Sequence, residues 1–480
     1  MSENRTGDLV VLLPGITGSV LAKDGKDVWA PTPQAAITAL VTLGRSVDRL
    51  ALESDDWRAD DLGDGIVATR LMPEVHALGD LWKIDGYSRI ESFLISELGL
   101  TPGDDYRPFP YDWRRDIRAA ARRLLVESHD WLNHWRQKSG NDKAQLVLVA
   151  HSMGGLVSRY FVEALGGWKD TRAVVTFGTP FYGSLNAVDF LCNGFRKHFG
   201  PLVKDLSPML RSFTSVHQLV PVYRCVYGAD GSPDGPVKPA DAGLPEWERK
   251  WSDDLLSFQD EMERAAAANR QDRAWDARHV TYRPIVGVDM PTGQSVHLEP
   301  GPHGLQAQIR AYRGGEAENE GGDGTVPKLS AALVGSEDAR TFAPQPHASL
   351  QAQKPMLQHL KGVLESLDNI GINDLREAAT SWFSYRGDSL YLPDELVRIE
   401  LGLGSLIGAS QLDPTTAEVT VTPRTAAGRP TRHPVTVSRR LESVDLGMLA
   451  PGAYDIRVTA DKGIEPLSDV LVIAEREGLG

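Results

Sequence analysis

The chain has 480 residues, 41% hydrophobic and 24% charged. That is ample material for a sizeable core, and at roughly 150 residues per domain it allows two or three domains. Its 51 basic and 65 acidic residues leave a net charge of −14, which argues against nucleic acid as a main partner and against electrostatic docking on anionic lipid; membrane contact is expected to be local, apolar and transient.

Met1 to Thr6 leads directly into Leu9-Val10-Val11-Leu12-Leu13, an apolar run closed by Pro14-Gly15 and read as a buried strand. This leaves no room for a secretory signal, and the nearby apolar-leaning stretch Ala35–Leu43 is far short of a membrane span. Cys192 and Cys225 are too few for a disulfide framework and lack metal-site spacing. A reducing, cytoplasmic setting is expected, with a bridge between the two left open. After the first strand, Leu13-Pro14-Gly15-Ile16-Thr17-Gly18-Ser19 has two readings: a strand-ending turn, or a loop whose glycines let the backbone approach a substrate carbonyl. Pro110-Tyr111-Asp112-Trp113-Arg114 reads as a strand-like frame with the aromatics on one side and an internal ion pair on the other, scaffold rather than catalyst.

Asp116–Gln137 reads as a helix, Leu146–Ala150 as a short buried strand, and Gly154–Leu165 as a helix. Ser152 therefore falls on a tight strand-to-helix turn. Such an elbow needs small residues two before and two after the serine, here Ala150 and Gly154, so that strand and helix pass closely. The turn also aims the Met153 amide where a developing oxyanion would sit. Ala173–Phe177 and Tyr282–Val288 are further strands, and the alternation predicts an α/β domain with a mostly parallel sheet over residues 1–390. Within it, Asn186 to about Ala277 reads as a helical insertion that is either a lid or a helical pair completing the core; Phe195, Phe199, Leu202 and Leu210 are its candidates for acyl-chain contact.

A serine needs a base and an orienting acid, which on this topology follow in the order Ser, Asp or Glu, His. Asp323, in Gly321-Gly322-Asp323-Gly324, is the candidate acid. Of the downstream histidines, His347 lies in a loop from which an imidazole reaches over the sheet edge, whereas His359 sits in a helical run; His347 is the expected base. His151 is read as a packing or turn residue. There is no metal-ligand cluster, P-loop or dinucleotide signature, so the chemistry is expected to need no cofactor and no metal. The tail changes texture: Leu396–Leu401, Ala417–Thr422, His433–Ser438, Ala453–Ala460 and Asp469–Ala474 are β-rich runs, predicting a small all-β, sandwich-like accessory domain over 391–480, entered through an ordered connector at Asp368–Asp394.

Together these segments resemble the lecithin:cholesterol acyltransferase family of α/β-hydrolases, lipid acyltransferases and phospholipases. The resemblance covers about residues 8 to 365 and rests on Leu13–Ser19, Pro110–Arg114, Ala150–Gly155, Gly178-Thr179-Pro180-Phe181-Tyr182-Gly183-Ser184, Gly287–Thr292 and Gly322–Val326 in that order. It implies Ser152, Asp323 and His347 as a catalytic triad, the amides of Ile16 and Met153 as oxyanion donors, and His347 in a loop just before a final helix, Met356–Leu364. The secreted animal members carry a signal peptide and disulfides; neither is evident here, so a prokaryote-like cytoplasmic member is expected. The function so implied is serine-dependent acyl-ester hydrolysis or acyl transfer on a lipid substrate. The alternatives are a carboxylesterase acting on small esters and a non-catalytic scaffold that binds a protein partner through its β-rich tail.

Overall fold

A computed structural model describes residues 7–30, 48–73, 86–199, 202–230, 235–278, 280–301, 304–311, 321–333, 340–367, 381–387, 390–391, 395–405, 414–424, 429–438, 442–460, 464–465 and 467–473. The stretch Ala35–Leu43 and residues 368–380 of the expected connector lie outside them.

The continuous apolar runs form strands buried on both faces, as a parallel sheet between helices requires. The central strands are β1 (Leu9–Leu13), β2 (Tyr106–Pro108), β3 (Leu146–His151), β4 (Thr171–Phe177), β5 (Thr281–Gly287) and β6 (Thr341–Ala343). Their order is β6-β5-β4-β3-β1-β2, and every neighbouring pair is parallel. This is the α/β-hydrolase arrangement anticipated from the alternation of strands and helices. Leu9 pairs with Leu146 and Leu13 with Ala150, so the ends of β1 and β3 are level. The main helices are α1 (Ile117–Ser139), α2 (Met153–Glu163), α3 (Arg249–Asn269) and α4 (Lys354–Ser366). Asp116 caps α1, its side chain accepting from the Arg118 amide.

The insertion packs into the same core: Leu210, Phe213, Val216 and Val220 are buried in the cluster that contains β1 and β3. Its helical reading fails in one place. Arg196–Phe199 and Leu202–Asp205 form an antiparallel hairpin, because the intervening Gly-Pro in the sequence interrupts a helical register. Cys192 and Cys225 are both buried and are not bonded to each other.

Pro110–Arg114 is not a strand, since β2 ends at Pro108, but its scaffolding part is plain. The Tyr111 hydroxyl donates to the Pro14 carbonyl at 2.7 Å, the Tyr111 amide to Ser19 Oγ, and the Trp113 indole to the Ser19 carbonyl. Arg114, fully buried, grips Asp112 with two nitrogens and also reaches Asp64 and the Leu50 carbonyl. One segment thus fastens the loop after β1 on one side and residues 50–64 on the other.

The tail forms two mostly antiparallel sheets over one shared core that includes Phe383, Ile399, Val419, Ile456 and Leu471. Alternate residues of Thr415–Pro423 face it, with Ala417, Val419 and Val421 buried. Ser381–Gly387, read from sequence as connector, is a strand of this unit, paired with Val397–Ser405. Among the described residues no helix is long and apolar enough to cross a membrane.

Removing one partner of a buried ion pair leaves the other uncompensated. Arg114→Met is therefore expected to lower stability by about 3 kcal/mol in urea unfolding, at the low end for such a loss because Asp64 keeps 31% of its side chain exposed. Limited proteolysis should then cut first within residues 50–64.

Candidate active site

The site lies where neighbouring strands deliver their C-terminal ends, the edge of an open parallel sheet at which side chains from different loops converge. β3 ends at His151 and α2 starts at Met153, so Ser152 takes the whole turn, with φ 51° and ψ −125°. For a non-glycine residue this is a strained conformation. It is held by the Ser152 amide donating to the Phe177 carbonyl and by Thr179 Oγ1 donating to the Ser152 carbonyl. Gly154 makes the turn sterically feasible: a Cβ there would lie 2.5 Å from the Pro14 carbonyl oxygen.

Asp323 follows a short turn pinned by Met290, whose amide donates to the Gly322 carbonyl. Its Oδ1 accepts from the amides of Thr325 and Val326, leaving Oδ2 for His347. β6 ends at Ala343, and the loop beyond it places His347, whose amide donates to the Asp323 carbonyl at 2.8 Å. The structure brings the three side chains into one hydrogen-bonded chain: His347 Nδ1 lies 2.7 Å from Asp323 Oδ2 and Nε2 lies 2.8 Å from Ser152 Oγ. Asp323 can only accept, so Nδ1 carries the proton and Nε2 presents its lone pair to the serine hydroxyl. Ser152 and Asp323 are 6% and 2% exposed, so little water competes for these bonds. His359 stands elsewhere, on α4, against Thr341 Oγ1.

The loop after β1 passes directly over the serine. A Cβ on Gly15 would fall 2.8 Å from Ser152 Cβ, so only glycine allows the approach. Neither the Ile16 amide nor the Met153 amide has an acceptor among the described residues. Of the proposed chain contacts, Phe195 is half-buried against Phe190 and Leu210 is closed off in the core. Phe199 and Leu202 pair across the hairpin, their side chains outside the described residues.

Sequence reasoning gave His151 no specific partners. It is buried, with Nδ1 2.9 Å from the Tyr87 hydroxyl and Nε2 3.0 Å from the His347 carbonyl. Burial first, and the neighbouring His347 second, push its pKa down to about 3.

Comparison with known proteins then places the chain. Residues 80–241 match the model of the lecithin:cholesterol acyltransferase family. Over that segment, about a third of its length, the chain is similar to the family. The matched segment contains Pro110–Arg114, the serine elbow and Gly178–Ser184 of the family resemblance; Asp323 and His347 lie beyond it. The human protein "Lysosomal phospholipase A and acyltransferase" is 33% identical over 129 residues, 26% of this chain and 30% of that protein. Its rat counterpart is 30% identical over 172 residues, 35% of this chain and 39% of that protein. The chain thus spans only about a third of the length of these curated relatives. The mature Bacillus licheniformis lipase BlEst2 is 12% identical at a TM-score of 0.33, covering 76% of this chain and 93% of that one. That likeness is slight, and the fold rests on the strand order above.

The neutral His151 ring has a thermodynamic signature. Unfolded, it takes up a proton near pH 6.5, whereas folded it resists one down to about pH 3. Its contribution to stability is therefore complete above about pH 6.5 and declines as pH falls below that value. The stability difference between wild type and His151→Gln is expected to narrow from about pH 7 to about pH 5 in urea titrations. A difference that widened over this range would mean the folded ring is protonated.

Proposed function

We propose that the chain is a serine-dependent acyl-ester hydrolase or acyltransferase acting on lipid esters, with Ser152 as nucleophile, His347 as base and Asp323 as the group that orients and stabilises the imidazolium. The reading is carried by the unbroken hydrogen-bonded chain from Asp323 through His347 to Ser152, beside two amides that have no acceptor among the described residues. The match to the lecithin:cholesterol acyltransferase family over residues 80–241 supports an ester or acyl substrate, as does the partial likeness to the lysosomal phospholipase A and acyltransferase proteins.

In this mechanism Ser152 Oγ attacks the ester carbonyl while its proton passes to His347 Nε2. The carbonyl oxygen becomes an oxyanion and takes hydrogen bonds from the Ile16 and Met153 amides, which have no acceptor among the described residues to give up. Collapse of the tetrahedral intermediate expels the alcohol portion, which receives the proton from His347. Water or a second alcohol then gives a proton to His347 and attacks the acyl-serine, releasing a fatty acid or a new ester. No metal or cofactor is required in this scheme.

We propose further that the lipid is met by brief apolar contact with a membrane surface. Phe195 and the hairpin residues Phe199 and Leu202 are candidates for acyl-chain contact. Two separate hydrophobic cores support a catalytic unit and a C-terminal β accessory unit that begins with the strand at Ser381 and is free to serve as a docking surface for a protein partner.

The test is mass spectrometry of products from mixed phospholipid vesicles, with and without a long-chain alcohol, for wild type and Ser152→Ala. Wild type should release fatty acid and lysophospholipid, and Ser152→Ala should lose about a thousandfold or more of that rate. Acyl-alcohol formation would make the enzyme a transferase. Cleavage restricted to short-chain esters would replace the lipid reading with a small-ester one, and silence on both substrates would favour a binding scaffold.

A further inference from the structure

Tyr87 lies 64 residues before His151 and belongs to none of the motifs above, yet it is fully buried beside the site. The Gly15 amide donates to its phenolic oxygen at 2.7 Å. The same oxygen lies 2.9 Å from His151 Nδ1, and the two rings meet edge-on with centroids 5.9 Å apart. At the other end of the imidazole, Nε2 faces the His347 backbone carbonyl. A carbonyl can only accept, so Nε2 must carry the hydrogen of the neutral ring. Nδ1 is then a lone pair and must take its hydrogen bond from the Tyr87 O–H. Each link fixes the polarity of the next, from Gly15 N–H to Tyr87 O–H to His151 to the His347 carbonyl.

The chain's two ends are the two loops whose distance from Ser152 matters most. Gly15 immediately precedes Ile16, whose amide the mechanism uses, and the other end is the backbone of the base itself. A second tie runs parallel: Gln351, buried, donates both to the Gly86 carbonyl beside Tyr87 and to the Ala348 carbonyl beside His347. The Tyr87 hydroxyl serves two buried groups, the Gly15 amide and His151 Nδ1, so phenylalanine would keep the ring packing but leave both without that partner.

We propose that Tyr87 and His151 are positioning residues for the Ser152 reaction, a neutral relay that holds the Gly15–Ile16 loop and the His347 loop at fixed spacing across the serine. The proposal rests on the hydrolase reading of Ser152 given above. Neither residue touches substrate; both act through the groups they hold. His151, adjacent to the nucleophile and a histidine, is thereby kept out of the proton transfer, because its one lone pair is already occupied by Tyr87.

A fluorophosphonate probe tests this on the full chain. Ser152 Oγ attacks phosphorus, the P–F bond breaks and fluoride leaves, the serine proton passes through His347 to solvent, and the P=O group occupies the oxyanion position. Labelling rate against probe concentration separates the maximal rate from half-saturation. Tyr87→Phe should lower the maximal rate about tenfold to a hundredfold, short of the 10²–10³ for deleting an oxyanion donor outright, with half-saturation little changed; the thermal midpoint should fall by only a few degrees, from the two buried groups left unpaired, and labelling is followed well below it. His151→Gln, which retains a donor for the His347 carbonyl but no lone pair at the Nδ1 position, should show a comparable loss. Because both changes cut one link, the double variant should be no slower than the slower single. Labelling of Tyr87→Phe within twofold of wild type would overturn the relay, as would losses that multiply in the double variant or that only track a lowered thermal midpoint. Should His151→Gln fail to fold, the Tyr87→Phe rate decides alone. Absence of labelling in the wild type, or labelling that survives Ser152→Ala, would instead defeat the underlying hydrolase reading.

Discussion

The site depends on a single close approach, that of the first turn of α2 to the end of β1. Because β1 and β3 finish level, the chain leaving β3 must reverse into a helix within one residue while the chain leaving β1 crosses above it. The space for both exists only because position 154 has no side chain. The consequence runs in two directions. Ser152 is forced into a strained backbone that lifts its hydroxyl clear of the sheet, and Pro14–Ile16 is drawn over that hydroxyl, with the Ile16 amide left without an acceptor among the described residues. Strain at one residue and an unpaired amide at another are each unfavourable taken alone. The extensively buried parallel sheet beneath them supplies the stability that tolerates both.

A loop brought so close must also be kept from collapsing onto the serine, and the protein does this with hydrogen bonds of defined direction. Tyr111 and Trp113 hold the loop at Pro14 and Ser19, with Arg114 anchoring that segment in turn, and Tyr87 holds it at Gly15. These partners come from segments far apart in the sequence, so the loop's position integrates much of the fold. Such a buried polar network is favourable only while every member is satisfied. Tyr111, Arg114, Tyr87 and His151 each have a partner of the right polarity, which makes the arrangement specific as well as stable.

What could be read in the sequence divides along the same line. Strands buried on both faces announce themselves as apolar runs, and β1, β3 and most of β4 were legible that way, whereas β5 is apolar and buried only toward its C-terminal end. The elbow was legible because it couples three local signals: a strand, small residues at fixed offsets, and a helix. Asp323 and His347 followed from chain order and loop context, and the structure sets them in hydrogen-bond reach of one another and of Ser152. Less visible were elements whose reason lies in a distant partner. Ser381–Gly387 was read as connector because its partners, at Val397–Ser405 and Ile464–Glu465, are what make it a strand. The hairpin around residue 200 was taken for helix because its apolar residues fit either period over so short a run. Tyr87 carried no signal, since one tyrosine beside a helix start looks like any core aromatic until the fold sets it against His151.

The two adjacent imidazoles show how the same side chain acquires opposite roles. His151 and His347 have ring centroids 5.0 Å apart, close enough that a proton on one penalises a proton on the other. What separates them is the chemistry of their flanking partners. His347 has a carboxylate at Nδ1 and the serine hydroxyl at Nε2, so an imidazolium formed in the proposed attack would be stabilised where it arises. His151 has a carbonyl on one nitrogen and a phenol on the other, neither of which carries a charge to balance a cation, and burial makes that cation costlier still. The proton leaving Ser152 therefore has one destination. A neutral second ring also keeps a second positive charge away from the imidazolium of the proposed reaction, with 5.0 Å between ring centroids. The neutral histidine beside the nucleophile is in this sense part of the electrostatic setting of the base, although it transfers no proton itself.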